Sequence, residues 1–110
     1  MPAKSVKNMM SERKNNRGKI QIMADILYLS TIGIRKTHIM YKANLSYEQI
    51  HFYLNELLEK ELIVQDISEG GIIYRTTEKG REYIRYYQHL MELIREKPLE
   101  AVLEGLSIIR

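Results

Sequence analysis

Three histidines, eight tyrosines and a scatter of lysines and arginines are the residues of this chain that could do chemistry. His38, His51 and His89 stand 13 and 38 residues apart. No HExxH or other paired-histidine spacing occurs and there is no cysteine, so neither a zinc site nor a thiolate nucleophile is encoded. Gly70-Gly71 lacks the companions of a phosphate-cradling loop and reads as a turn. No tyrosine is paired with an evident base. These residues predict no enzyme, no cofactor and no metal. Charge is what remains. Arg17, Lys19, Arg35, Lys36, Lys42 and Arg75 can each bind a phosphate oxygen, and Thr37, Ser46, Tyr47 and His51 add polar side chains in the same stretch.

The elements that must position them begin at residues 35–63, RKTHIMYKANLSYEQIHFYLNELLEKELI. Ser46 followed three residues on by Gln49 is a capping box, and it opens a helix. Ile50, Leu54, Leu57 and Leu58 then fall at i, i+4, i+7 and i+8, one face of that helix. Leu45 precedes the cap and can pack on Ile50 or its neighbours. Upstream, residues 35–42 predict a shorter helix with Ile39 and Met40 inward and Arg35, Lys36 and Lys42 outward. A polar break at Ala43, Asn44 and Leu45 separates the two, which gives a helix-turn-helix. Next come two β-branched runs, LIVQDI and IIYRTT, with Ser68, Glu69, Gly70 and Gly71 between them. They predict a hairpin with glycines where positive φ is needed, a wing on the motif.

Helices flank this unit. From about Arg17 to Thr31, Ile20, Met23, Ala24 and Leu27 follow helical spacing, with Tyr28 at the margin; Ile22, Ile26 and Leu29 widen the apolar face, and Gly33 ends it. Thr77 caps a last helix, TEKGREYIRYYQHLMELIREK. Gly80 in its first turn costs about 1 kcal/mol relative to Ala but lets the helix approach the hairpin closely. The helix runs from Thr77 to about Glu96, 20 residues, or ~30 Å. Tyr83, Tyr87, Leu90 and Ile94 are spaced 4, 3 and 4, a coiled-coil seam, with Met91 beside it. Pro98 should end or kink the helix, and Leu99, Val102, Leu103 and Leu106 follow on one side of a short amphipathic segment. Nothing else in the chain is left to cover the seam, which predicts a homodimer; the alternative is that both segments fold back on their own domain.

The chain has 110 residues, 45% hydrophobic, enough for one core. No apolar run approaches the ~20 residues of a membrane span, so no membrane partner is expected. The basic N-terminus lacks the apolar stretch of a signal peptide, and the absence of cysteine fits a cytoplasmic setting. The net charge is +3, yet residues 1–19 hold six Lys or Arg against one Glu, so that stretch carries +5 and the remainder −2. The predicted organisation is a disordered basic tail at 1–16, a DNA-binding domain at 17–82, and a dimerisation helix at 83–110 broken near Pro98. A basic arm on a small domain suits nucleic acid or another anionic surface, or only keeps the chain soluble.

Residues 46–59 contain no Lys or Arg and three glutamates, Glu48, Glu56 and Glu59. The outward residues near the start of that helix are Ser46, Tyr47, Glu48, His51 and Phe52. In a helix-turn-helix this is the helix that enters the major groove. Without a cation it cannot read guanine by a bidentate contact. The cations lie around it, so phosphate positioning of double-stranded DNA is the expected mode.

Tyr41-Lys42-Ala43-Asn44-Leu45-Ser46-Tyr47, Tyr53-Leu54, Glu59-Lys60, Leu62-Ile63 and Tyr74-Arg75-Thr76-Thr77-Glu78-Lys79-Gly80 resemble the small archaeal winged-helix DNA-binding proteins of the ten-a type over about residues 18–95. The resemblance implies a mainly α winged helix-turn-helix whose long C-terminal helix forms an antiparallel coiled coil with a second subunit. It also implies sequence-tolerant duplex binding in chromatin or transcription control, hence nucleoid association. Pro98 and the poorly charged third helix depart from that pattern. Two other readings stand beside it. One is a winged helix used for protein–protein interaction, favoured by the acidic third helix and Phe52. The other is a small-molecule-responsive repressor, with Tyr83 and Tyr87 lining an effector cleft.

Overall fold

The computed structural model describes residues 17–95. Its elements are α1 Lys19–Leu29, α2 Lys36–Ala43, α3 Tyr47–Glu59, β1 Ile63–Ser68, β2 Gly71–Thr76 and α4 Glu78–Ile94. Three helices and the base of the hairpin enclose one core, in which Ile26, Leu27, Ile39, Ile50, Leu57 and Ile63 are fully buried. The capping box is formed as the sequence predicts: Ser46 Oγ accepts the Gln49 amide at 3.1 Å and Gln49 Oε1 accepts the Ser46 amide at 2.9 Å. Leu45 is buried in the same cluster as Ile50.

Two inward assignments change. Ile20 is 56% exposed. It lies in the first turn of α1, at the edge of the core, and Tyr83 Oη donates to its carbonyl at 2.7 Å. Met40 is only partly buried, packed against the edge of the cluster. Gly33, at φ 95, turns the chain between α1 and α2. Asn44 does the same after α2 at φ 58, a conformation asparagine tolerates.

The wing is an antiparallel pair whose register runs from Ile63↔Thr76 to Ser68↔Gly71. Ser68 and Gly71 thus belong to the strands, and the turn is the dipeptide Glu69-Gly70 rather than four residues. Of the two glycines only Gly71 takes positive φ, at 121. The outer edge of β2 is closed by Ile34, which exchanges two backbone hydrogen bonds with Tyr74 of 3.0 and 2.8 Å. This contact fixes where α2 begins relative to the wing.

Thr77 caps α4, accepting the Gly80 amide at 3.1 Å and donating to Glu61 O at 2.7 Å. A Cβ at Gly80 would run into Leu62 O and stand 2.5 Å from Thr76 Cγ2, so the close approach requires glycine. The helix ends at Ile94, with Arg95 extended, two residues short of the expected boundary. Its 17 residues make it ~26 Å long. Only the first half packs on the body, through Gly80, Tyr83 and Ile84. Farther on, Tyr86, Leu90, Leu93 and Ile94 are exposed. The basic tail at 1–16, Pro98, Val102 and Leu106 lie outside the described residues.

Candidate nucleic-acid interface

The capping box sets the direction in which α3 leaves the turn, and its amphipathic pattern decides what faces out. With Ile50, Leu54 and Leu57 buried, Tyr47, Glu48 and Phe52 are exposed, and His51 is half-buried between them. The Tyr47 and His51 rings meet edge to face with centroids 4.3 Å apart. Lys36, at the first position of α2, sends its ammonium across to this pair. Its Nζ is 3.2 Å from His51 Nε2 and 5.7 Å from the Tyr47 ring centroid. An ammonium only donates, so the imidazole accepts at Nε2 and carries its proton on Nδ1. The cation that α3 lacks is thereby supplied from α2. Thr37, the next residue, is exposed. Ser46 is exposed, and although its oxygen is taken by the Gln49 amide its hydroxyl proton remains free to donate.

Arg35 caps the start of α2, one residue after the Ile34 bridge to the wing. Its guanidinium lies so close to Gly70 that a Cβ there would collide with Nη2. The wing tip and the start of α2 therefore form one surface. A side chain at 70 would displace the tip of Arg35, while the backbone angles there do not call for glycine. The spacing of residues 35 and 70 could not reveal the contact; the Ile34–Tyr74 pairing that causes it is formed late in the chain.

Three of the remaining predicted cations, Arg75, Arg17 and Lys19, are engaged elsewhere. Arg75 Nε pairs with Asp66 Oδ2 at 3.0 Å across the wing, and its Nη1 donates to Ile32 O at 3.1 Å. Arg17 is paired with Asp25 and donates to Ala43 O, and its side chain is only 7% exposed. Lys19 pairs with Glu56, which also receives Lys60 at 3.3 Å. The hydrogen bond from Lys19 is the main reason the Glu56 carboxyl is held below its usual range; it outweighs the opposing effect of burial, and Lys60 adds to it. Glu56 thus points to the first helix rather than to a groove. Lys42 is exposed at the far end of α2, on the wall of a cavity with Tyr28 and Tyr87. Arg35, Lys36 and Lys42 are left with no acidic partner among the described residues. The histidines gather no metal site there either, and no described helix is long and apolar enough to cross a membrane.

Comparison with known proteins follows this geometry. A family model described as "Winged helix-turn-helix" matches residues 16–95. No curated protein matches the chain. Among solved structures it is similar to Sso10a-2, a DNA-binding protein from Sulfolobus solfataricus, with 25% identity and a TM-score of 0.67 over 84% of this chain and 96% of that one. A MepR–DNA complex from S. aureus shares the fold at 13% identity and TM-score 0.62, over 94% and 85% of the two chains. So does the transcriptional regulator BldR from Sulfolobus solfataricus, at 19% and 0.59, over 94% and 84%.

Proposed function

The chain belongs to the winged helix-turn-helix family, which matches it over residues 16–95, and from that premise we propose that it is a double-stranded DNA-binding protein of the archaeal ten-a type. It acts as a homodimer in nucleoid organisation or transcription control, and it grips phosphates more than it reads bases. The likeness to Sso10a-2 supports the type. The observation that carries the binding mode is the placement of Lys36: among the described residues the cation touching the exposed start of α3 comes from another helix and sits beside an aromatic pair. Arg35, whose guanidinium lies against Gly70 of the wing turn, extends this positive surface, and Lys42 adds a second exposed cation at the far end of α2. A contact of this kind fixes orientation on the backbone without carrying sequence information. The basic residues at 1–16 would add counterion release to it. Selection from random duplexes tests this. Weak enrichment without a dominant motif is expected; a strong palindrome lost in Tyr47→Ala or His51→Ala would instead assign base reading to α3.

The dimer reading rests on the exposed half of α4. Leu90 and Ile94 continue the seam that begins at Tyr83 and Tyr87, while Met91 lies half-buried next to it. An antiparallel pairing of these helices would hold the two winged domains apart, so that one dimer touches two duplex segments.

A second reading is favoured by one feature. A cavity of about 360 Å³ opens between α1, α2 and α4, walled by Ala24, Leu29, Ile84 and the Tyr28 and Tyr87 rings, with Lys42 on its wall. Its size and lining suit a small ligand that could modulate DNA binding. Thermal shifts against a fragment panel, abolished by Ala24→Trp, would support that role.

A further inference from the structure

A hollow of about 420 Å³ opens where the start of α1, the end of α3 and the start of α4 meet. It lies ~20 Å along α3 from the Ser46 cap, at the end opposite to Lys36. Its floor is formed by Ile20, Leu62 and Tyr83, and its rim carries Lys19, Lys60 and Lys79. Glu56 is the acid among them and pairs with Lys19 and Lys60. Lys79 Nζ donates to the Lys60 carbonyl at 2.9 Å. Three ammonium groups against one carboxylate leave the hollow positive. A second hollow shares Ile20 and Tyr83 with the first and runs on along α4 to Leu90. Ile20 is 56% exposed and Leu90 47%, so this apolar floor is open to a partner. An apolar trough with a cationic rim fits an amphipathic segment that carries acids along one edge.

The chain itself holds such a segment. Beyond Pro98, helical spacing groups Leu99, Val102, Leu103 and Leu106 on one side, and Glu100 and Glu104, four residues apart, border that side. We propose that in the homodimer this segment of each subunit docks in the lysine-rimmed hollow of the other. The inference rests on the dimer reading and deepens it. When two copies of α4 pair antiparallel along the seam, Tyr87 is level with the partner's Leu90 and Tyr83 with the partner's Ile94. The partner's Pro98 is then level with Lys79, in the first turn of α4. The proline thus falls where the partner's helix has run out of seam, and the hollow begins just beyond it. The same chain cannot make this contact with a helical segment. Ile94 and Lys79 stand at opposite ends of α4, ~22 Å apart. A segment turning back at Pro98 leaves Glu100 beside Ile94, a helix length from the lysines. A seam of four residues per helix is also short against the 20–30 residues a side, about, of a stable interface. Exchange of the two segments enlarges it.

The test uses the full chain and two readouts. The sequence has no cysteine, so a variant carrying both Lys79→Cys and Glu100→Cys reports the contact directly. Mild oxidation should give a covalent dimer on a non-reducing gel, and neither single variant should give one. The second readout is the dimer dissociation constant from sedimentation at two salt concentrations. Glu100→Lys/Glu104→Lys should raise it about tenfold at low salt and less at high salt, since exposed ion pairs are screened. Lys60→Glu/Lys79→Glu should do the same, and a chain carrying all four reversals should recover most of the loss. Oxidation of the double-cysteine variant to a bridged monomer would place the segment on its own domain and overturn the exchange. Unchanged dissociation constants in both reversal variants, with no bridge formed, would overturn it while leaving the dimer intact. An unmodified chain that sediments as a monomer overturns the dimer reading and the exchange together.

Discussion

Lys36 Nζ and His51 Nε2 are 3.2 Å apart, and through this contact the first residue of α2 supplies positive charge to the exposed face of α3. The two residues should therefore behave differently under substitution. Lys36→Ala should weaken binding to every duplex by a similar factor and flatten the log–log salt slope by about 1.8, one phosphate contact in each subunit of the dimer. His51→Ala should cost less and leave the slope unchanged, because the imidazole holds the ammonium without meeting a phosphate itself. A sequence-dependent loss in Lys36→Ala would show that the lysine reads a base.

Gly80 gives a prediction in which two effects oppose. Alanine improves helix propensity by about 1 kcal/mol. The added Cβ, however, collides with Leu62 O and Thr76 Cγ2, and overpacking against backbone costs about 3 kcal/mol. The clash should win, so urea unfolding should show Gly80→Ala to be net destabilised by ~2 kcal/mol. A stabilised variant would mean that α4 can move off the hairpin freely.

The parts of this fold legible in the sequence were those whose causes are local. Ser46 with Gln49 and Thr77 ahead of Gly80 announce helix starts, because a cap is satisfied within three residues. The α3 stripe and the two β-branched runs likewise carry their own periodicity. What could not be read depends on contacts distant in the chain. Arg17 reads as a phosphate-binding cation at the first helix until Asp25 and the end of α2 close over it. Glu56, late in its helix, reads as lying away from the groove, but its partner Lys19 on the first helix could not be read from the spacing. Arg35 and Gly70 meet only because Ile34 pairs with Tyr74. The length of the turn was misjudged since Ser68 and Gly71, poor strand formers by type, are held in the ladder by their neighbours.

Ile94→Asp should dissociate the dimer and leave the winged domain folded. Ile94 is 65% exposed at the end of α4, away from the core at Ile26, Ile50 and Ile63. Sedimentation equilibrium at tens of micromolar should show the unmodified chain as a dimer and the variant as a monomer, with unchanged far-UV circular dichroism. An unmodified chain that sediments as a monomer removes the dimer from the account.

Tyr83 makes stability depend on alkaline pH. Burial against α1 pushes its phenol above the ordinary tyrosine range, with Tyr87 adding to the effect. A folded value raised above the unfolded one means that the folded state holds the proton more tightly. The associated stability is complete below the unfolded value of ~10 and is lost as pH climbs through it toward the folded value. Melting temperature should therefore fall as the pH rises above about 10. Tyr83→Phe loses the bond to Ile20 O and should start lower, but its decline should be shallower. Parallel curves for the two proteins would show that Tyr83 is not the group responsible.

The most direct test of phosphate-dominated recognition is a fluorescence-anisotropy titration of the full chain against several unrelated duplexes at two salt concentrations. Arg35, Lys36 and Lys42, doubled in a dimer, predict a log–log salt slope of about −5 from six phosphate contacts, with the tail steepening it. Affinities should agree across the duplexes within about threefold. One duplex bound far more tightly than the rest, with a slope near zero, would contradict the account.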